Sequence, residues 1–243
     1  FQGIFVVVVV PTRELVLQLA SVAGMLLQHL GESLRCSFVA GGFSFEEEIR
    51  RLQVDAPHVL IATPGKLVQH LQGTPNFIKA LQPVRMLVLD EADRLLDSSF
   101  VHQVDYLVRC LPSSPRPQMV LCSATFNPAV RNFAFRSLSA DFQTIDAEAG
   151  EDTEVVPQVE QLVCRYKSAE FTRVLTATLA REMGLSIGGE DSSSQPPLKR
   201  VLVLFLTTRW LQFFYVLLKH RCGLHNLYSL HGRLPDEKRR ARA

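Results

Sequence analysis

Short apolar runs that do not alternate with polar residues recur through the first two thirds of this chain. The clearest are Phe5-Val6-Val7-Val8-Val9-Val10 and Met86-Leu87-Val88-Leu89. A strand with one face in water alternates apolar and polar side chains. A strand apolar on both faces must be covered on both, which is the situation of a central strand in a parallel sheet. Strands are expected at 5–10, 35–39, 58–62, 85–89, 118–122 and 143–146, with amphipathic helical segments such as 13–30 and 45–52 between them. Strand alternating with helix predicts an α/β fold with right-handed crossovers.

Two polar stretches interrupt this rhythm. AEAGEDTEVV (147–156) is acidic, and SIGGEDSSSQPPL (186–198) is rich in Ser, Gly and Pro. The first reads as a linker between domains, and the second as an insertion with too little apolar surface to order itself. The rhythm restarts after it, with a strand expected at 201–205, a helix around 211–218 and a strand at 226–229.

Bulk properties exclude several classes. At 243 residues with 47% hydrophobic and 21% charged residues, the chain has the composition of a globular protein. Its apolar runs are far shorter than the roughly 20 residues a membrane-spanning helix needs, and no membrane partner is expected. The five cysteines (Cys36, Cys110, Cys122, Cys164, Cys222) form no C-x-x-C pair, which argues against a zinc site or disulfide framework and for a reducing compartment. The net charge of +2 implies no nucleic acid by itself. Its distribution is uneven: residues 1–150 hold 12 basic and 14 acidic side chains, residues 151–243 hold 14 and 10. The C-terminal excess suits phosphate contact and equally a solvated helix face.

Chemistry concentrates where strands end. Asp90, Glu91 and Asp93 follow the run 86–89, at the strand end where open α/β sheets bind ligands. A carboxylate there suits Mg²⁺ held through water, and its neighbour suits the orientation or deprotonation of an attacking water. An acidic turn capping the next helix explains the same residues as well. Pro11-Thr12-Arg13, Gly41-Gly42, Thr63-Pro64-Gly65-Lys66 and Ser123-Ala124-Thr125 follow four other expected strands. Each alone is an ordinary turn or cap; together they read as one site assembled from loops on one sheet edge.

PTREL (11–15), GG (41–42), TPGK (63–66), VLDEAD (88–93) and SAT (123–125) resemble, in order and spacing, successive motifs of the DEAD-box ATP-dependent RNA helicases. VLVLFLTTR (201–209) and His231-Gly232 followed by Arg239 resemble elements of that family's second domain. The resemblance implies two RecA-like domains with parallel sheets: a first over 1–147, a linker at 148–156 and the start of a second over 157–243. It implies ATP and Mg²⁺ as cofactors, with Asp90 toward the metal, Glu91 toward the hydrolytic water, and Asp93 paired with Ser123 and Thr125. RNA would lie along Pro11, Thr12, Arg13, Gly41, Gly42, Thr63, Pro64, Gly65, Lys66, Thr207 and Arg239, gripped by its backbone without base readout.

The chain departs from the family pattern at Lys66, where arginine is usual, at Asp236, where glutamine is usual, and at Thr207, where asparagine is common. No G-x-x-x-x-G-K-[ST] phosphate loop is present, because Leu60 and Leu67 occupy required positions around Gly65-Lys66, and the adenine-reading Q motif is missing too. The expectation is therefore a fragment truncated at both ends and inactive alone. TPGKLVQHLQGTPNF and VRMLVLDEADRLLDSSF look most similar to mitochondrial RNA chaperones of the family, with nucleolar ribosome-assembly helicases as competitors. Ribonucleoprotein partners and a mitochondrial, or alternatively nucleolar, location are the corresponding expectations. The rival readings are a non-catalytic helicase-fold scaffold and an unrelated P-loop ATPase.

Overall fold

In the computed structural model, five of the apolar runs pair side by side: β1 (Val6–Val9), β2 (Cys36–Val39), β3 (Val59–Ala62), β4 (Met86–Asp90) and β5 (Gln118–Cys122). All pairs are parallel, in the order β2-β3-β1-β4-β5. The structure describes residues 3–30, 34–146, 160–183, 200–222, 224 and 226–235. The chain divides into two units, Phe1–Asp146 and Ala147–Ala243, and the sheet belongs to the first.

Helices α1 (Arg13–Leu30), α2 (Phe45–Val54), α3 (Pro64–Gly73), α4 (Phe77–Ala80), α5 (Ala92–Leu95), α6 (Val101–Cys110) and α7 (Pro128–Ser137) connect and follow these strands. Two buried clusters explain the lack of alternation. Val7, Val9, Leu60, Leu87 and Leu89 face one layer with Leu52, Leu67, Phe77, Val104 and Phe133 from α2, α3, α4, α6 and α7. Val10 and Ile61 face the other, with Val16 of α1. Burying one such side chain contributes roughly 1.5–3 kcal/mol, so apolar residues on both faces are the main reason the strands lie centrally.

Register fixes where the site can be. Val9 pairs with Ala62 and Leu89, Val39 with Ala62, and Asp90 with Cys122, so the five strands end in one row. From β1 the chain crosses toward β2, and from β4 toward β5, which makes the gap between β1 and β4 a topological switch point. Such a crevice, outside the carboxyl ends of the strands, is where open α/β sheets hold ligands.

Three expected strands are corrected. Residues 143–146 extend without a ladder partner, and Ile145 is exposed. In the second unit, described residues give a 3-10 turn (Ser168–Glu170), α8 (Phe171–Met183) and α9 (Thr208–His220), and no strand. Residues 201–205 and 226–229 join no strand ladder among the described residues, and Leu202 and Leu204 lie exposed. An apolar run becomes a strand only where another strand accepts its N–H and C=O groups. Within this unit, Phe171, Phe205, Trp210 and Phe213 pack around Phe214. The linker 148–156 and the insertion 186–198 lie outside the described residues.

Candidate functional site

At the end of β4 the backbone turns sharply. Glu91 adopts φ 52° and ψ 51°, the left-handed conformation that costs a non-glycine residue about 1–2 kcal/mol. Buried Leu89 and Ala92 anchor the chain on either side and hold the turn in place. The Glu91 N–H donates to Asp90 Oδ1 at 3.0 Å, and Arg94 Nη1 donates to Glu91 Oε2 at 2.5 Å. Both carboxylates therefore stand half-exposed at the switch point, one on the strand and one on the turn.

Asp93 ties this turn to the next strand. Thr125 Oγ1 donates to Asp93 Oδ2 at 2.9 Å, and the Asp93 N–H donates to Ser123 Oγ at 3.2 Å. Ser123 Oγ in turn donates to the Thr125 carbonyl at 2.8 Å, closing the 123–125 segment on itself. The adjacent Cys122 thiol is pushed up in pKa, first by burial and then by the Asp90 charge, so it stays protonated.

The turn offers a divalent cation few protein donors. Among the described residues no three His, Cys, Asp or Glu side chains converge to hold one unaided. Asp90 alone fits a Mg²⁺ whose remaining ligands are waters and phosphate oxygens, the usual manner for this ion.

A second group of loops lies on the same edge, beyond β1. Thr12 caps α1, accepting from Leu15 N–H at 3.3 Å, and the Arg13 guanidinium sits 4.9 Å from the Phe43 ring centroid. Gly42 has φ 81°, a conformation open to glycine and strained for other residues. At the start of α3, Thr63 makes no side-chain cap bond and Pro64 occupies the first turn. The first-turn N–H groups of α3 thus lack a side-chain acceptor, and helix N-termini of this kind attract phosphate. Pro11 and Pro64, expected to line the RNA path, are buried.

Beneath these loops lies a buried polar network. Glu48, 2% exposed, accepts from Ala40 N–H through Oε1 at 3.1 Å. Its Oε2 meets Lys66 Nζ at 2.9 Å and His70 Nε2 at 3.2 Å. His70, fully buried between the Phe45 and Phe77 rings, reaches Thr74 Oγ1 through Nδ1 at 2.8 Å. Burial alone would raise the pKa of Glu48, but hydrogen bonds from His70, Lys66 and the Ala40 N–H together outweigh it and hold the carboxyl below its ordinary value. Lys66, expected to point at a ligand phosphate, instead donates to Glu48 and to the Phe43 carbonyl at 3.2 Å.

The family described as DEAD/DEAH box helicase matches residues 1–133, more than half of the chain. The chain belongs to the DEAD/DEAH box helicase family. It is 36% identical over 160 residues to DEAD-box ATP-dependent RNA helicase 25 of Oryza sativa subsp. japonica, covering 66% of this chain and 26% of that protein. It is 31% identical over 239 residues to DEAD-box ATP-dependent RNA helicase 25 of Arabidopsis thaliana, covering 97% and 39%. The chain thus spans well under half the length of these curated relatives. Among solved structures it is similar to helicase Mss116p bound to ssRNA and AMP-PNP, with TM-score 0.52 and 28% identity over 56% of this chain and 28% of that one. It is likewise similar to the yeast DEAD-box splicing factor Prp28, with TM-score 0.51 and 27% identity over 57% and 32%.

In this member of the DEAD/DEAH box helicase family, Asp90, Glu91, Asp93, Ser123 and Thr125 form one connected set, and Thr12, Arg13, Gly41, Gly42, Thr63 and Gly65 stand at the ends of the neighbouring strands. Thr207, in the second unit, caps α9 by accepting from Trp210 N–H at 3.2 Å. Arg239 lies outside the described residues. The motif reading passed over Glu48 and His70, although each interrupts an apolar helical stripe: Phe45, Glu48, Leu52 on α2 and Leu67, His70, Leu71 on α3.

Proposed function

We propose that the full-length protein is an ATP-dependent RNA helicase or RNA chaperone whose ATP turnover requires RNA. The observation that carries this reading is the convergence of the Asp90–Asp93 turn, the 123–125 segment and the loops leading into α1 and α3 on one row of strand ends. Bound Mg²⁺ would neutralise charge on the nucleotide phosphates, with Asp90 as its protein contact. Glu91 orients the attacking water and accepts its proton, which requires its carboxylate to exchange Arg94 for that water. Asp93, held by Ser123 and Thr125, transmits changes at the acidic turn to the end of β5. RNA phosphates lie along the starts of α1 and α3, with Thr12, Arg13, Gly42, Thr63 and Gly65 in contact, and Arg239 contributes from the second unit. Such contacts read the backbone and not the bases.

Residues 1–243 by themselves are inactive in this reading, because no lysine of a phosphate loop lies among them. The two units act as RecA-like domains, joined through 148–156 and carrying an insertion at 186–198. The similarity of TPGKLVQHLQGTPNF and VRMLVLDEADRLLDSSF to mitochondrial RNA chaperones supports work on organellar or ribosomal RNA among ribonucleoprotein partners. A nucleolar site in ribosome assembly is the alternative location. The test is steady-state ATP turnover of the full-length protein with and without single-stranded RNA of unrelated sequences. RNA-independent turnover, or none, would reject the reading.

A further inference from the structure

We propose that Glu48 is a positioning residue for the RNA-facing surface, and that Lys66 serves it by fixing the Gly41-Gly42 loop onto α3 instead of contacting phosphate. The inference rests on the RNA-helicase reading above.

The two oxygens of the Glu48 carboxylate divide their partners between two elements. Oε1 takes the N–H of Ala40, the residue immediately before Gly41-Gly42. Oε2 takes Lys66 and His70, both on α3. One side chain therefore joins the loop after β2 to the helix after β3, two elements whose exposed ends carry Gly42 and Gly65. Lys66 adds a second tie by donating to the carbonyl of Phe43, the residue after Gly42. The Gly41-Gly42 pair is thus bracketed by bonds at 40 and 43, both running to this network. Phe43 extends it to α1, because its ring lies under the Arg13 guanidinium and against Phe38.

The energetics favour a device over an accident. Moving a carboxylate out of water is costly unless it is paired and hydrogen-bonded, and apolar residues of the same volume commonly stabilise as much or more. Glu48 meets that condition with three donors, and His70 continues the chain to Thr74. The network holds a loop whose glycines would otherwise sample many conformations, and a preordered backbone loses less entropy when phosphates bind. Lys66 is only 14% exposed and lies against a carboxylate, so its charge is already balanced within the protein.

The two roles of Lys66 differ in salt dependence. A lysine neutralising a phosphate releases counterions, and its loss lowers the salt slope of single-strand binding by about 0.7. A positioning lysine, already balanced by Glu48, leaves the slope unchanged while affinity falls. Glu48→Gln can keep an acceptor for the Ala40 N–H only by turning its amide donor toward Lys66. If Lys66 bound phosphate, this change would free it and leave RNA binding intact or stronger.

The experiment uses the full-length protein, wild type and with Glu48→Gln, Lys66→Met, the double change and Lys66→Arg, with a single-stranded homopolymeric RNA as probe. Expected are an approximately tenfold rise in the RNA concentration for half-maximal ATP turnover in Glu48→Gln and in Lys66→Met, turnover at saturating RNA within about twofold, and an unchanged salt slope. The double variant should be no worse than either single one, and Lys66→Arg should restore most of the affinity. A salt slope lowered by about 0.7 in Lys66→Met, or RNA binding unharmed in a folded Glu48→Gln, would overturn the proposal. Should Glu48→Gln not fold, the salt slope of Lys66→Met decides alone. Wild-type protein with no RNA-stimulated turnover would instead reject the helicase reading.

Discussion

Thr125 donates its hydroxyl to the Asp93 carboxylate at 2.9 Å across 32 positions of sequence, and this bond joins the ends of β4 and β5. Thr125→Val keeps the shape and removes the donor. The surrounding residues are exposed, so the loss to stability should stay near or below about 1 kcal/mol. The effect should appear in coupling: RNA strand separation by the full-length protein should fall several-fold more than ATP turnover. A parallel fall in both, measured on the same preparation, would show that the bond serves the nucleotide step alone.

Glu91→Gln preserves side-chain length and backbone while removing the carboxylate proposed as the base. General-base contributions are typically 10²–10⁴-fold, so single-turnover hydrolysis should drop by at least about 100-fold. Binding of a fluorescent ATP analogue and of RNA should remain within a few-fold of wild type. Near-normal turnover would assign the proton transfer to another group.

Arg13→Ala should weaken binding to unrelated RNAs about equally and reduce the salt slope by roughly 0.7. The guanidinium also covers the Phe43 ring, so part of the affinity loss will be insensitive to salt. Titrations at three or more salt concentrations separate the two parts.

Acid should act through Glu48. Its folded pKa lies below the ordinary value, so its contribution to stability is complete above about pH 4.3 and is lost as pH falls through the lowered native value. Thermal midpoints of wild type and Glu48→Gln measured between neutral pH and pH 3 should therefore converge on acidification. A gap that widens in acid would reverse the sign and contradict the network as described.

In the sheet, Leu89→Ala should destabilise the first unit by about 2–5 kcal/mol, since Leu89 is fully buried in the larger cluster. Urea unfolding of the full-length protein, followed at a probe in that unit, would measure it.

The sheet was legible in the sequence because parallel strands advertise themselves: the run 118–122 was bounded correctly, and the other four strands within one residue at either end. The expected helix 13–30 likewise matches α1. Strandedness at 143–146, 201–205 and 226–229 was not decidable from composition, since it depends on a partner strand and not on the run itself. The acidic turn was legible because ligand chemistry concentrates at strand ends. Glu48 and His70 were harder, as each looks like a surface residue until its neighbours at three and four positions are seen to be buried. A carboxylate and an imidazole on the apolar stripes of two neighbouring helices are a signal that pattern reading can use, once the two helices are known to be adjacent.

The left-handed backbone at Glu91 sets this protein's robustness against its chemistry. Glycine or asparagine accepts φ 52° at lower cost than glutamate, so Glu91→Gly or Glu91→Asn should relieve about 1 kcal/mol of strain and raise the melting temperature. Selection for thermal tolerance alone would therefore drift away from glutamate at this position, and on the role proposed for Glu91 it would persist only in lineages where turnover itself is under selection.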